Sequence, residues 1–141
     1  AARHDVTYAS KALRPGCDIW ATDVCVPISK LAECISATKK DLSKSSLIAP
    51  LVSHAGDGNF HLGFVIDRDN PKEIKEAEEL NERLIMRALS MDGTCTGEHG
   101  IGIGKMKFLN AEHGEGVSLM RQIKNTFDPN NIMNPGKIFT P

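Results

Sequence analysis

The stretch that decides the fold is Leu47-Ile48-Ala49-Pro50-Leu51-Val52-Ser53-His54-Ala55-Gly56-Asp57-Gly58-Asn59-Phe60-His61-Leu62-Gly63-Phe64-Val65-Ile66. Two apolar, strand-like runs, Leu47–Ala55 and Asn59–Ile66, flank Gly56-Asp57-Gly58, and Asp-Gly is a strong hairpin signal. Alternation along the return strand puts Phe60, Leu62, Phe64 and Ile66 on one face, with Leu51 and Ala49 opposite them. That face must be covered. His61 falls on the other face. With a two-residue Asp57-Gly58 turn, His54 pairs directly with His61, their Cβ atoms about 5 Å apart on the open side of the sheet.

Outward from the hairpin, Asp18 to Val26 reads as a strand rich in Trp, Thr and Val. Pro27 opens a helix whose stripe is Ile28, Leu31, Ile35 and Leu42. The strongest helix signal follows the hairpin: Asn70 caps, Pro71 takes the first position, Glu73 completes a capping box, and Gly93 marks the end. Thr94–Thr96 suits a last short strand, and Ser118–Phe127 a terminal helix. A helix to about Leu13 precedes everything. The resulting class is α+β: a ferredoxin-like antiparallel sheet with helices on one face, plus a helical C-terminal segment.

The composition narrows the function. The chain has 141 residues, 40% of them apolar, enough for one domain over residues 1–141 with its own core. Seventeen basic against eighteen acidic side chains leave no basic excess to hold nucleic acid. No apolar run is long enough to span a bilayer. Cys17, Cys25, Cys34 and Cys95 form no paired motif and read as free thiols. The chain opens on Ala1 without a signal peptide, inside what reads as a helix, so a fragment of a longer protein is expected. Gly100-Ile101-Gly102-Ile103-Gly104-Lys105 imitates a phosphate loop. It has His99 where the pattern needs Gly and Met106 where it needs Ser or Thr.

Two imidazoles side by side on a sheet face can share one transition metal, or be simply a pair of surface or partner-facing histidines. The best third ligand is Glu98, in Thr94-Cys95-Thr96-Gly97-Glu98-His99-Gly100, where glycines flank an acid and a histidine. A non-catalytic ferredoxin-like binding or regulatory module remains the alternative class. A structural zinc domain would want a closed set of four ligands, usually with thiolates.

Three motifs also carry a resemblance. His54-Ala55-Gly56-Asp57-Gly58-Asn59-Phe60-His61, Gly97-Glu98-His99-Gly100 and Met133-Asn134-Pro135-Gly136-Lys137 resemble, in order, the C-terminal substrate domain of FAD-linked 2-hydroxy acid dehydrogenases. That family holds cytochrome-type D-lactate, D-2-hydroxyglutarate and glycolate enzymes, and Thr22-Asp23-Val24-Cys25-Val26-Pro27 is most similar to the D-lactate branch. The resemblance implies that a separate N-terminal domain binds FAD and that this region caps the flavin. It implies His54, His61 and Glu98 as ligands of a divalent metal, commonly zinc, and His99 as the catalytic base. It also implies Arg3 on the substrate carboxylate, Thr7 as a neighbouring substrate contact and Asn134 near the flavin. Two departures, Ala21 for a lysine and Gly63 for an asparagine of the hydroxyglutarate enzymes, favour a short monocarboxylate such as D-lactate.

The resemblance further implies a small 2-hydroxy acid as substrate and a cytochrome c, a quinone or an electron-transfer flavoprotein as electron acceptor. A homodimer stays open. The implied location is the bacterial cytoplasm or the mitochondrial matrix, peripheral to the inner membrane. Isolated from a flavin domain, the chain is expected to be inactive.

Overall fold

The computed structural model describes the backbone of residues 2–139 and the side chains of residues 5–139. In chain order the elements are α1 (Ala2–Ala12), β1 (Asp18–Ala21), β2 (Val24–Cys25), α2 (Ile28–Leu42), β3 (Leu51–His54), β4 (Asn59–Ile66), α3 (Pro71–Ser90), α4 (Met106–His113) and α5 (Gly116–Phe127). The fold is α+β. All strand pairs are antiparallel, and β4 is the spine: β1 and β2 pair along one edge, β3 along the other. Thr94 adds an isolated bridge to Cys25 on the outer side of β2. The spatial order Thr94, β1/β2, β4, β3 is that of a split β-α-β sheet.

The alternation along β4 sorts the sheet as its sequence demands. Phe60, Leu62, Phe64 and Ile66 are buried against Leu31 and Cys34 of α2 and Ala77, Leu80, Leu84, Ile85 and Ala88 of α3. The start of α3 is held as its sequence dictates: Asn70 accepts from the amides of Lys72 and Glu73, and the Glu73 carboxylate holds Arg14 at 2.8 and 3.0 Å. Helix α1 lies over part of the opposite face. Its Val6, Thr7 and Ser10 share a cleft with Ile19 and Ala21 of β1, and Val65, on that same side, is fully buried.

Five local readings change. The expected strand Asp18–Val26 breaks at Thr22-Asp23 into β1 and β2. Leu62 N–H donates to the Thr22 hydroxyl at 2.8 Å instead of to its carbonyl, so the side chain replaces one rung of the ladder. The strand expected at Leu47–Ala55 shortens to Leu51–His54, with a bridge at Ile48. The one expected at Thr94–Thr96 shrinks to its bridge. Helix α4, unforeseen, buries Phe108 and Leu109; it has eight residues and no side-chain cap to announce it.

The fifth change is the hairpin register. His54 stands opposite Asn59, and His61 opposite Val52. The turn is not the two-residue Asp57-Gly58 type: Asp57 N–H donates back to His54 at 2.9 Å, and the chain crosses over Ala55–Gly58. Gly58 is unavailable for a tight turn because its carbonyl accepts from Val26 N–H at 3.0 Å, extending the β2–β4 pairing. The shift moves His54 by two residues relative to His61, which preserves the face. The two histidines become diagonal neighbours rather than direct partners.

Candidate functional site

His54 closes β3 and His61 sits in β4, both on the face turned away from α2 and α3. Their rings lie 5.5 Å apart, edge to face. Glu98 reaches over them from the loop after the Thr94 bridge. Its Oε1 is 3.0 Å from His61 Nε2 and 3.4 Å from His54 Nε2. One ligand atom from each of the three lies within 4.8 Å of the others. His99, the next residue, places its ring 5.5 Å from that of His61 and its Nε2 3.6 Å from Glu98 Oε1.

This donor set fits a divalent transition metal. Bonds of about 2.0–2.1 Å in a tetrahedral site put neighbouring ligand atoms about 3.4 Å apart. Of the two histidine–glutamate distances, the 3.4 Å one matches that spacing and the 3.0 Å one is slightly shorter. Tautomer fit is the stronger test. His61 Nδ1 lies 2.9 Å from the Thr22 carbonyl oxygen. A carbonyl only accepts, so Nδ1 is the donor to it, and Nε2, on the side of Glu98, is the nitrogen left to face a metal.

Behind the three donors lies a residue that sequence reasoning did not single out. Asp23, at the break between β1 and β2, is buried, and its carboxylate accepts from Asn59 Nδ2 and the Thr96 hydroxyl, both at 2.8 Å. It also accepts from the amides of His99 at 3.0 Å and Glu98 at 3.2 Å. Burial opposes its ionisation, yet those donors together hold the carboxyl well below the usual range. Lys105 adds its ammonium at 3.3 Å. The phosphate-loop lookalike therefore sends its lysine to Asp23. An acid in the middle of a strand-like run, inside the Thr22-Asp23-Val24-Cys25-Val26-Pro27 motif, was the available signal.

A cleft of about 250 Å³ opens beside the donors, between α1, β1 and β3. Thr7, Ala21, Val52, His54, His61 and His99 all border it. No Lys or Arg lines it among the described residues. Arg3 lies outside the residues whose side chains are described. Asn134 is not brought to this cleft; it borders a separate groove of about 320 Å³ with Phe127 and Met133. Cys95 also stays apart: it is fully buried, and burial with Glu112 beside it pushes its thiol up to about 12. Neutral and facing the core, it offers the site no thiolate.

An antiparallel α+β sheet with a histidine–histidine–glutamate cluster on its open face agrees with the family match. A family model described as FAD linked oxidases, C-terminal domain, matches residues 1–138, and the chain belongs to that family. It is 52% identical over 140 residues, 99% of this chain, to the mitochondrial D-lactate dehydrogenase [cytochrome] of Arabidopsis thaliana. It is 51% identical over 135 residues, 95% of this chain, to the mitochondrial D-lactate dehydrogenase [cytochrome] 1 of Saccharomyces cerevisiae. A glycolate oxidase subunit of Bacillus subtilis matches at 36% over 118 residues, 83% of this chain. The chain spans 25%, 23% and 25% of these relatives' own lengths, respectively. Among the described residues, no helix is long and apolar enough to cross a membrane.

Proposed function

We propose that this chain is the substrate- and metal-binding cap of a flavin-dependent D-2-hydroxy acid dehydrogenase that oxidises a D-lactate-like monocarboxylate to its 2-oxo acid. The observation that carries the reading is the convergence of His54, His61 and Glu98 on one point at the lip of a cleft, with His99 beside them. When bound, a divalent metal such as zinc supplies Lewis acidity that lowers the pKa of an α-hydroxyl, and FAD supplies the hydride acceptor.

The residues of this chain do the rest. His54, His61 and Glu98 hold the metal, with two neutral imidazoles and one carboxylate leaving the site net positive toward an anionic substrate. His99 accepts the hydroxyl proton at its exposed ring nitrogen. Thr7, with Arg3, orients the substrate carboxylate. Ala21, Ile19 and Val52 give the cleft a small, uncharged wall, which suits a short side chain and offers no cation to a second carboxylate. Asn134 and the groove by Phe127 and Met133 are assigned to contact with the flavin-bearing portion. The names of the relatives make a cytochrome the first electron acceptor to test and the mitochondrion the first location.

Two measurements on the flavin-loaded protein test this. Metal analysis is expected to find about one equivalent of zinc or another divalent ion, lost in a His54→Ala/His61→Ala double variant. His99→Ala is expected to bind D-lactate yet reduce its flavin about 100-fold more slowly or worse. No metal even in excess zinc would make the site metal-free if D-lactate oxidation is intact, and would return the chain to the class of non-catalytic binding modules if oxidation is absent as well. Unchanged flavin reduction would remove His99 as base.

A further inference from the structure

Asp23 has no part in the chemistry above, yet the two halves of the site meet at its carboxylate. It is 2% exposed. Its donors include the backbone amides of Glu98 and His99, the two residues that must face His54 and His61. The residue before it completes the frame, because the Thr22 carbonyl holds His61 Nδ1 at 2.9 Å. One dipeptide thus fixes a ring on β4 and the backbone of a loop some 75 residues away in sequence. Gly97 lets that loop seat directly on the carboxylate. A Cβ there would lie 1.9 Å from Asn59 Nδ2 and 2.9 Å from Asp23 Oδ1.

We propose that Asp23 is a positioning residue: it sets Glu98 and His99 against His54 and His61, and so fixes the third metal donor and the base together. The proposal rests on the function proposed above. Packing cannot do this work, because the Glu98 and His99 side chains are 49% and 65% exposed. Hydrogen bonds from their amides to a buried anion can, since charge-assisted bonds are about twice as strong as neutral ones. Lys105 balances the charge and also donates to the Asp23 carbonyl at 2.7 Å. Supports of this kind behind metal ligands act by fixing orientation.

The test uses two variants of the flavin-loaded protein. Asp23→Asn keeps the size but turns one acceptor into a donor facing the Glu98 and His99 amides. Gly97→Ala keeps every polar group and pushes the loop off the carboxylate. In both, zinc affinity by chelator competition is expected to fall about 10–100-fold. At saturating zinc, kcat is expected to fall about tenfold or more with KM within about threefold, the split expected of a lost transition-state alignment. In zinc-free protein, amide exchange across residues 97–100 is expected to rise about tenfold as the loop loses its anchor.

Zinc affinity, kcat and amide exchange all within about twofold of the parent would overturn the proposal, as would a drop in melting temperature alone. The latter would make Asp23 a partner for Lys105 and nothing more. Should Asp23→Asn fail to fold, Gly97→Ala decides by the same readouts. A parent protein that holds no zinc overturns the functional reading instead, and amide exchange at Glu98 and His99 still decides whether Asp23 holds the loop.

Discussion

Helices α3 and α5 are both amphipathic, and they meet different ends. Helix α3 turns Ala77, Leu80, Leu84, Ile85 and Ala88 into the core. Helix α5 buries only Val117 and leaves Leu119, Ile123 and Phe127 more than half exposed. The same contrast divides the molecule. From β1 to α4, most of the apolar surface is closed within the chain, Ile28 and Ile103 being the main exceptions, and the histidine–glutamate cluster stands on that largely closed part. Beyond α4 the apolar surface is open. The periodicity of a helix says which side wants cover; it does not say that the cover lies in the same chain. The site geometry therefore rests on a closed apolar core, whereas the tail is held by polar contacts, such as Lys124 Nζ to the Met133 carbonyl at 2.6 Å and the Ile132 amide to Asp128 at 2.9 Å.

The contrast can be broken most severely in the core. Phe64→Ala, at a fully buried ring 6.2 Å from that of Trp20, is expected to cost about 3–5 kcal/mol in denaturant unfolding. Phe127→Ala, 80% exposed, is expected to change the same measurement by under about 0.5 kcal/mol. A loss of 2 kcal/mol or more at Phe127 would show that the tail is closed after all.

The turn at the head of the hairpin sharpens the comparison on a finer scale. Gly58 has φ +74°, and a Cβ there would lie 2.0 Å from the Val26 carbonyl oxygen; Gly56, two residues earlier, faces open space. Gly58→Ala is expected to cost about 1–3 kcal/mol from backbone strain, with further loss from displaced pairing, and Gly56→Ala much less. Equal losses at the two glycines would remove Val26 as the reason for the register. Smaller still, Asn70→Ala should cost about 1 kcal/mol through the lost cap of α3, read from the same titrations.

The least effect is expected at the clamp between α2 and α3. The Arg83 hydrogen bond, against some burial and with help from Arg87, holds the Asp41 carboxyl below its ordinary value. A depressed folded pKa gives stability that is complete above the unfolded value, about 3.9, and is lost as pH falls through the lower folded one. Asp41→Asn should thus be less stable than the parent at neutral pH, by about 1 kcal/mol or less, because its main partner Arg83 is half exposed. The two proteins should begin to converge as pH falls below about 4 and meet below the folded value. Parallel stability curves down to pH 2 would remove Asp41 as a source of acid sensitivity.

Much of this was written in the chain. The alternation of Phe60, Leu62, Phe64 and Ile66 chose the buried face and, by exclusion, the face of His61. Asn70-Pro71 and Glu73 fixed the start of α3. These are local matters, settled by side-chain period and by hydrogen bonds within one turn of backbone. The hairpin register was not local: Asp57-Gly58 asked for a two-residue turn, and the Val26–Gly58 hydrogen bond overrode it. His54 kept its face because the shift was even, which is why the histidine pair survived an incorrect register.

Sequence determined that two histidines share a face and that a glutamate and a histidine stand together in a glycine-flanked loop. Only the tertiary structure decided that Glu98 closes on both imidazoles, because the bond that brings it there joins residues 23 and 98 through a buried carboxylate. No periodicity encodes such a contact. It comes into being when the strand breaks at Thr22-Asp23, freeing a carbonyl for His61 and a carboxylate for the loop.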